Sequence, residues 1–151
     1  MPDTLIAVVS GGSMYPLLHN GDQIVVLKNQ PFTLGDVVLC DADGFMRTHR
    51  VIKIKGRKIW TKGDNVPHCD EAIDVEKVIG PVKFVWKAQS DHLIDMTALK
   101  GRWKVLWYAR LELCLIRIFN LFSKRERKHE VKQKLQSIYY RHVVKEFNYE
   151  Q

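Results

Sequence analysis

The sequence is short of cysteine and lacks the long apolar runs that mark a membrane span. Its three cysteines, Cys40, Cys69 and Cys114, are odd in number and far apart among 151 residues. They form no disulfide framework and point to a reducing compartment. No uninterrupted apolar stretch reaches the ~18–20 residues needed to cross a bilayer. Residues 1–13 lack a basic region, and the apolar run Leu5–Val9 is too short for the core of a signal peptide. Cytoplasmic location is the expectation. His68, Cys69 and Asp70 are adjacent, but no second ligand cluster at zinc spacing accompanies them, so neither a metal nor a cofactor is expected. Long-period repeats are also missing. Gly-Asp before a β-branched run occurs at 21–26 and again at 35–39, which is a local echo and not a solenoid.

What is present is enough for one domain with an appendage. Hydrophobic residues make up 46% of the chain, an ordinary share for a packed core. The net charge of +7 is unevenly placed. Residues 1–97 hold 11 Lys/Arg against 12 Asp/Glu, and residues 98–151 hold 13 against 5. The organisation expected is a near-neutral body over 1–97 and a basic extension over 98–151. A basic extension fits an acidic partner, a membrane surface or nucleic acid, and charge alone does not choose among them.

The body reads as short strands. Leu5–Val9 is a first apolar run, broken by Gly11 and Gly12. Met14–Leu18 reads as a bridging segment of about one helical turn, and His19-Asn20-Gly21-Asp22 as a turn. Gln23–Lys28, Val37–Cys40, Phe45–Ile54, Lys58–Lys62 and Val78–Val85 follow as strands, with Asp41-Ala42-Asp43-Gly44 as a hairpin signal. Turn signals every 8–12 residues predict a mostly antiparallel β body.

From about residue 98 the pattern changes. Trp103–Phe122 has no turn residues, and Arg110, Arg117 and Lys124 fall on one narrow helical stripe. A second, strongly charged helix is expected from about Arg125 to Lys145, giving a C-terminal helical pair. As a membrane span the first helix would bury Arg110, Glu112 and Arg117, at ~2.5–3.5 kcal/mol each near the bilayer centre. Packing on the β body with Arg110 and Arg117 in water, with or without peripheral membrane contact through residues 103–125, is the expectation instead.

Three short contexts carry chemistry. Gly-Gly-Ser-Met-Tyr-Pro spans 11–16, Thr-His-Arg-Val spans 48–51, and Lys-Gly-Asp-Asn at 62–65 leads on to Asp70. A serine hydroxyl needs a base within hydrogen-bond reach before it can act as a nucleophile. Ser13 lies in a glycine-rich turn after a strand, where Gly11, Gly12 and Met14 let backbone approach a carbonyl and aim N–H groups at a developing oxyanion. In an alternating strand, Phe45, Arg47, His49 and Val51 share one face. An imidazole gains and loses a proton near neutrality, which suits His49 to take the proton of Ser13. Asp70 can hold that imidazole in the useful tautomer. Asp64 can serve instead, or support its own loop. His19, His68, His92, His129 and His142 lack such a context and read as surface residues.

In this order, Ser-Met-Tyr-Pro, Gly-Asp-Val-Val, Thr-His-Arg-Val and Lys-Gly-Asp-Asn with a later aspartate resemble the signal peptidase I superfamily (S24/S26-type serine peptidases). The resemblance covers roughly residues 5–85 and is greatest to the branch with histidine as base, found in endoplasmic-reticulum-type and archaeal enzymes. It implies Ser13 as nucleophile, His49 as base, Asp70 and Asp64 as the carboxylates, and a signal-peptidase-like β body. It also implies a peptide or precursor substrate cut after a small residue and paired as an extended strand beside segments that include Leu5–Val9. Members of the superfamily usually carry a membrane-spanning segment before the serine box, whereas twelve residues precede Ser13 here. Gly11 stands where many members have a serine, and Gly-x-Ser-Met is similar to self-cleaving repressors of the LexA type. A second reading is a catalytically silent peptide-binding module with a basic docking tail. A third, a nucleic-acid-associated regulator, is disfavoured because no helix-turn-helix precedes the β body.

Overall fold

The computed structural model describes residues 3–42 and 44–96. The helical pair expected over 98–151, and the contact surface expected at 103–125, lie outside the described residues. Among the described residues the chain is antiparallel β with one 3₁₀ turn at Val75–Lys77. The strands are β1 (Thr4–Val8), β2 (Gln23–Leu27), β3 (Val37–Ala42), β4 (Phe45–Lys55), β5 (Lys58–Lys62), β6 (Ile73–Asp74), β7 (Val78–Lys87) and β8 (His92–Asp95). Their order in space is β1-β2-β7-β3-β4-β5-β6, with β8 on β7.

Strand β7 joins the two halves of this sheet. Its first half pairs with β3 (Val38 opposite Pro81, Leu39 opposite Gly80), and its second half pairs with β2 (Val25 opposite Phe84, Ile24 opposite Val85). Gly80 marks the crossing. A Cβ there would lie 1.9 Å from the carbonyl oxygen of Leu27, so only glycine lets the β2 backbone pass. Both pairings carry a bulge beside the crossing, which bends the strand between its two partners.

The alternation of side chains decides where the core lies. On β2, Ile24 and Val26 point inward, and Val85 of β7 joins them. On β3, Val37 and Leu39 enter this main cluster, while Val38 and Cys40 enter a second one with Val51 of β4. Strand β3 is therefore buried on both faces, which explains its unbroken apolar run. Met14, Leu17 and Leu18 drop into the main cluster from the segment between β1 and β2. Burying each such side chain is worth ~1.5–3 kcal/mol, and here that burial fixes the backbone around Ser13.

Differences from the sequence reading are local. β1 is shifted back by one residue, and β3 runs to Ala42, with the reversal closed at Gly44 (φ +89°). The two-residue β6 and the mixed His-Leu-Ile-Asp of β8 are too short or too polar to show a period of two. They form because β5 and β7 present edges for them to pair with.

Candidate active site

Ser13 follows β1 in a turn held from several sides. Gly11 takes φ +89° and donates its N–H to Asn20 Oδ1 at 3.2 Å. The Leu18 N–H donates to the Met14 carbonyl at 3.0 Å, closing a tight non-helical turn that includes the cis Tyr15–Pro16 peptide, where the sequence reading expected about one turn of helix. Met14 is buried beneath this turn. From the other side, Asn65 clasps the serine backbone: its N–H donates to the Ser13 carbonyl at 2.7 Å and its Nδ2 to the Gly12 carbonyl at 2.8 Å.

His49 comes from β4, where it faces Val38 of β3 and is 7% exposed. Ser13 Oγ lies 3.0 Å from Nε2, and Asp70 Oδ2 lies 2.6 Å from Nδ1. A carboxylate against Nδ1 keeps the proton on that nitrogen and leaves Nε2 as the acceptor for the serine hydroxyl. Asp70 is itself held in place. Its N–H donates to the Thr61 carbonyl at 2.8 Å, Thr61 Oγ1 donates to Oδ2 at 2.6 Å, and Arg47 Nη1 pairs with Oδ1 at 3.2 Å. Burial pushes the Asp70 carboxyl up, but the hydrogen bonds from His49 and Thr61, with the charges of His49 and Arg47, outweigh it and leave the group below its ordinary range.

Asp64 has a different place. Its carboxylate takes a bidentate pair from Arg50, Nε to Oδ1 at 2.9 Å and Nη2 to Oδ2 at 2.7 Å, and Arg50 Nη1 reaches the Gly35 carbonyl at 2.8 Å. Arg50 and His49 are successive residues on β4, so they leave opposite faces of the strand. Asp64 thus anchors the 62–65 loop on one face while Asp70 meets His49 on the other. Of the residues singled out in the sequence, the structure brings Ser13, His49 and Asp70 into one hydrogen-bonded line and sets Asp64 apart from it.

Other residues of this site carried weaker signals. Arg47 shares the His49 face by alternation, which the sequence shows. Thr61 depends on the β4–β5 register, which places it opposite Val51 and carries a shift at that point. Gly63 passes as an ordinary turn glycine, yet a Cβ there would lie 2.7 Å from the Ser13 carbonyl oxygen and 2.9 Å from His49 Nε2. His19 corrects the surface reading: it is 31% exposed, and its Nδ1 lies 2.8 Å from Lys87 Nζ.

The family model described as Peptidase S24-like matches residues 2–83. Among curated proteins, signal peptidase I S of Bacillus subtilis (strain 168) is 29% identical over 92 residues, covering 58% of this chain and 50% of that protein. The chain thus spans about half the length of the curated relative it matches.

Proposed function

The chain belongs to the Peptidase S24-like family, and from that premise we propose that it is a serine endopeptidase acting through Ser13, His49 and Asp70. The observation that carries this reading is the line from Ser13 Oγ to His49 Nε2 (3.0 Å) and from His49 Nδ1 to Asp70 (2.6 Å). Ser13 Oγ attacks the scissile carbonyl carbon as its proton passes to Nε2. The imidazolium, held by Asp70, then donates that proton to the leaving amine nitrogen as the C–N bond breaks. The acyl group remains on Oγ until water, deprotonated by the same imidazole, releases the new carboxyl end and restores Ser13. Backbone N–H groups of the Gly12–Met14 turn stabilise the oxyanion.

The substrate is an extended peptide or precursor cut after a small residue. Two free strand edges support this. β1 ends the strand path, and among the described residues it pairs only with β2. Among the described residues β5 pairs with β4 only from Arg50 onward, so the Phe45–His49 half of β4 has β3 on one side and no described strand on the other. An extended chain can add its backbone hydrogen bonds to such edges. The test is covalent labelling by a fluorophosphonate probe, read by mass spectrometry, with cleavage of a reporter peptide library alongside. Probe on Ser13, and loss of both labelling and cleavage in Ser13→Ala and His49→Ala, is the expected result. Saturable peptide binding with no labelling would instead favour a silent binding module.

A further inference from the structure

Away from the catalytic line lies a second charged cluster, in which every donor of one ammonium is used. Lys87, at the end of β7, is 14% exposed, and its Nζ meets the Leu17 carbonyl at 3.0 Å, His19 Nδ1 at 2.8 Å and the Asp22 carboxylate. An ammonium has three N–H bonds, and three acceptors surround it. Asp22, 1% exposed, is also held by the His19 N–H (2.8 Å) and the Ala88 N–H (3.1 Å). All three acceptors of Lys87 belong to the segment that begins with Ser13. Leu17 lies in the turn closed by Leu18 and Met14, and the His19 ring stands perpendicular to the Tyr15 ring, with centroids 5.1 Å apart.

We propose that Lys87 is a positioning residue for Ser13. It ties the serine-bearing turn to the strand that crosses both halves of the sheet, gripping the turn at Leu17 and, through His19, beside Tyr15. This rests on the reading of Ser13 as nucleophile. A hydroxyl 3.0 Å from its base tolerates little displacement: misplacing reacting groups by an ångström can cost on the order of a hundredfold in rate.

The clasp needs a neutral His19, because Nδ1 accepts from Lys87. Burial and then the Lys87 charge lower the His19 pKa, against a smaller opposing effect of Asp22. Lys87 from β7 and Asp22 from its own segment are the charged groups that face it, with Tyr15 against the ring. Protonation would set two cations together and release one of the three grips.

The experiment measures the rate at which the fluorophosphonate probe labels Ser13 in the full chain, with thermal unfolding recorded in parallel. Lys87→Met keeps the stem and loses the donors. Labelling slowed at least about tenfold in the folded variant, with partial recovery in Lys87→Arg, is the expected result. Wild-type labelling should fall on acidification in part as His19 takes up a proton. His19→Asn keeps a δ-position acceptor that does not titrate, so its labelling should hold to lower pH than in the wild type. Equal labelling rates in wild type and folded Lys87→Met overturn the proposal. If Lys87→Met does not fold, an unchanged acid limb in His19→Asn overturns it. Failure of the wild type to label would instead strike at Ser13 as nucleophile, and the proposal would fall with that reading.

Discussion

The contact between Ser13 and His49 depends on a residue with no side chain. Gly63 lets the 62–65 loop lie against the serine carbonyl and the imidazole together, at distances where a methyl group has no room. Gly63→Ala must push against backbone at Ser13, against the His49 ring, or against Val66, whose Cγ2 would be 3.0 Å away. The expected outcome is a loss of Ser13 labelling on the order of tenfold to a hundredfold, with the chain still folded by circular dichroism. Labelling at the wild-type rate would show that the loop can give way without moving Ser13 or His49. Ser13 and His49 were legible in the sequence as candidates because each sits in a short context with a chemical reason, while the choice between Asp70 and Asp64 beside His49 was left open. The groups around them were not. Gly63 looks like any turn glycine, and Thr61 and Lys87 reach their partners only through strand pairing, which composition and periodicity do not encode.

Among the elements, the β4 strand carries two machines on its two faces. His49 looks toward Asp70, and Arg50 looks toward Asp64. The second pair is almost wholly buried, at 4% side-chain exposure for each partner. Removing one member of a buried pair leaves a charge without its complement, which costs ~3–5 kcal/mol. Asp64→Ala should therefore lower the stability of the folded chain by about that amount, read as a lower midpoint in urea denaturation with an unchanged slope. A midpoint within experimental error of wild type would mean that Arg50 finds an equivalent acceptor. The elements themselves were largely legible: Gly-Asp leads into β2 and β3, Asp-Gly into β4, Gly-Asp follows β5, and β7 is a strand-like run rich in valine and isoleucine. β6 and β8 were not, since each exists by pairing with an edge and not by its own pattern.

For the whole described body, acid should weaken the fold in two stages. His19 has a lowered pKa, chiefly from burial and then from Lys87, so the folded state resists protonation that the unfolded chain accepts at its ordinary 6.5. Its contribution is present above that value and is lost as the pH falls through the lower folded value. Asp22 and Asp70 are both lowered. In each, burial works the other way but is outweighed by hydrogen bonds and nearby charges: the His19 N–H and Lys87 at Asp22, His49 and Thr61 at Asp70. Their stabilisation is present above their ordinary 3.8 and disappears as the pH falls through their folded values. Unfolding midpoints measured from pH 8 to pH 3 should decline first below about 6.5 and then again below about 4. His19→Asn should remove the first decline, and a first decline that persists in this variant would assign it elsewhere.

The insertion of β7 between β2 and β3 also bears on when the site comes into being. β2 and β3 are neighbours in sequence and are kept apart in the sheet by a strand made some forty residues later. A chain emerging from the ribosome displays Ser13, His49 and Asp70 before residues 78–87 follow to be slotted between their supports. Closing such sequence-distant pairings is the slow part of folding. Ser13 is thus present in the nascent polypeptide well before it meets His49, and that meeting coincides with completion of the β body.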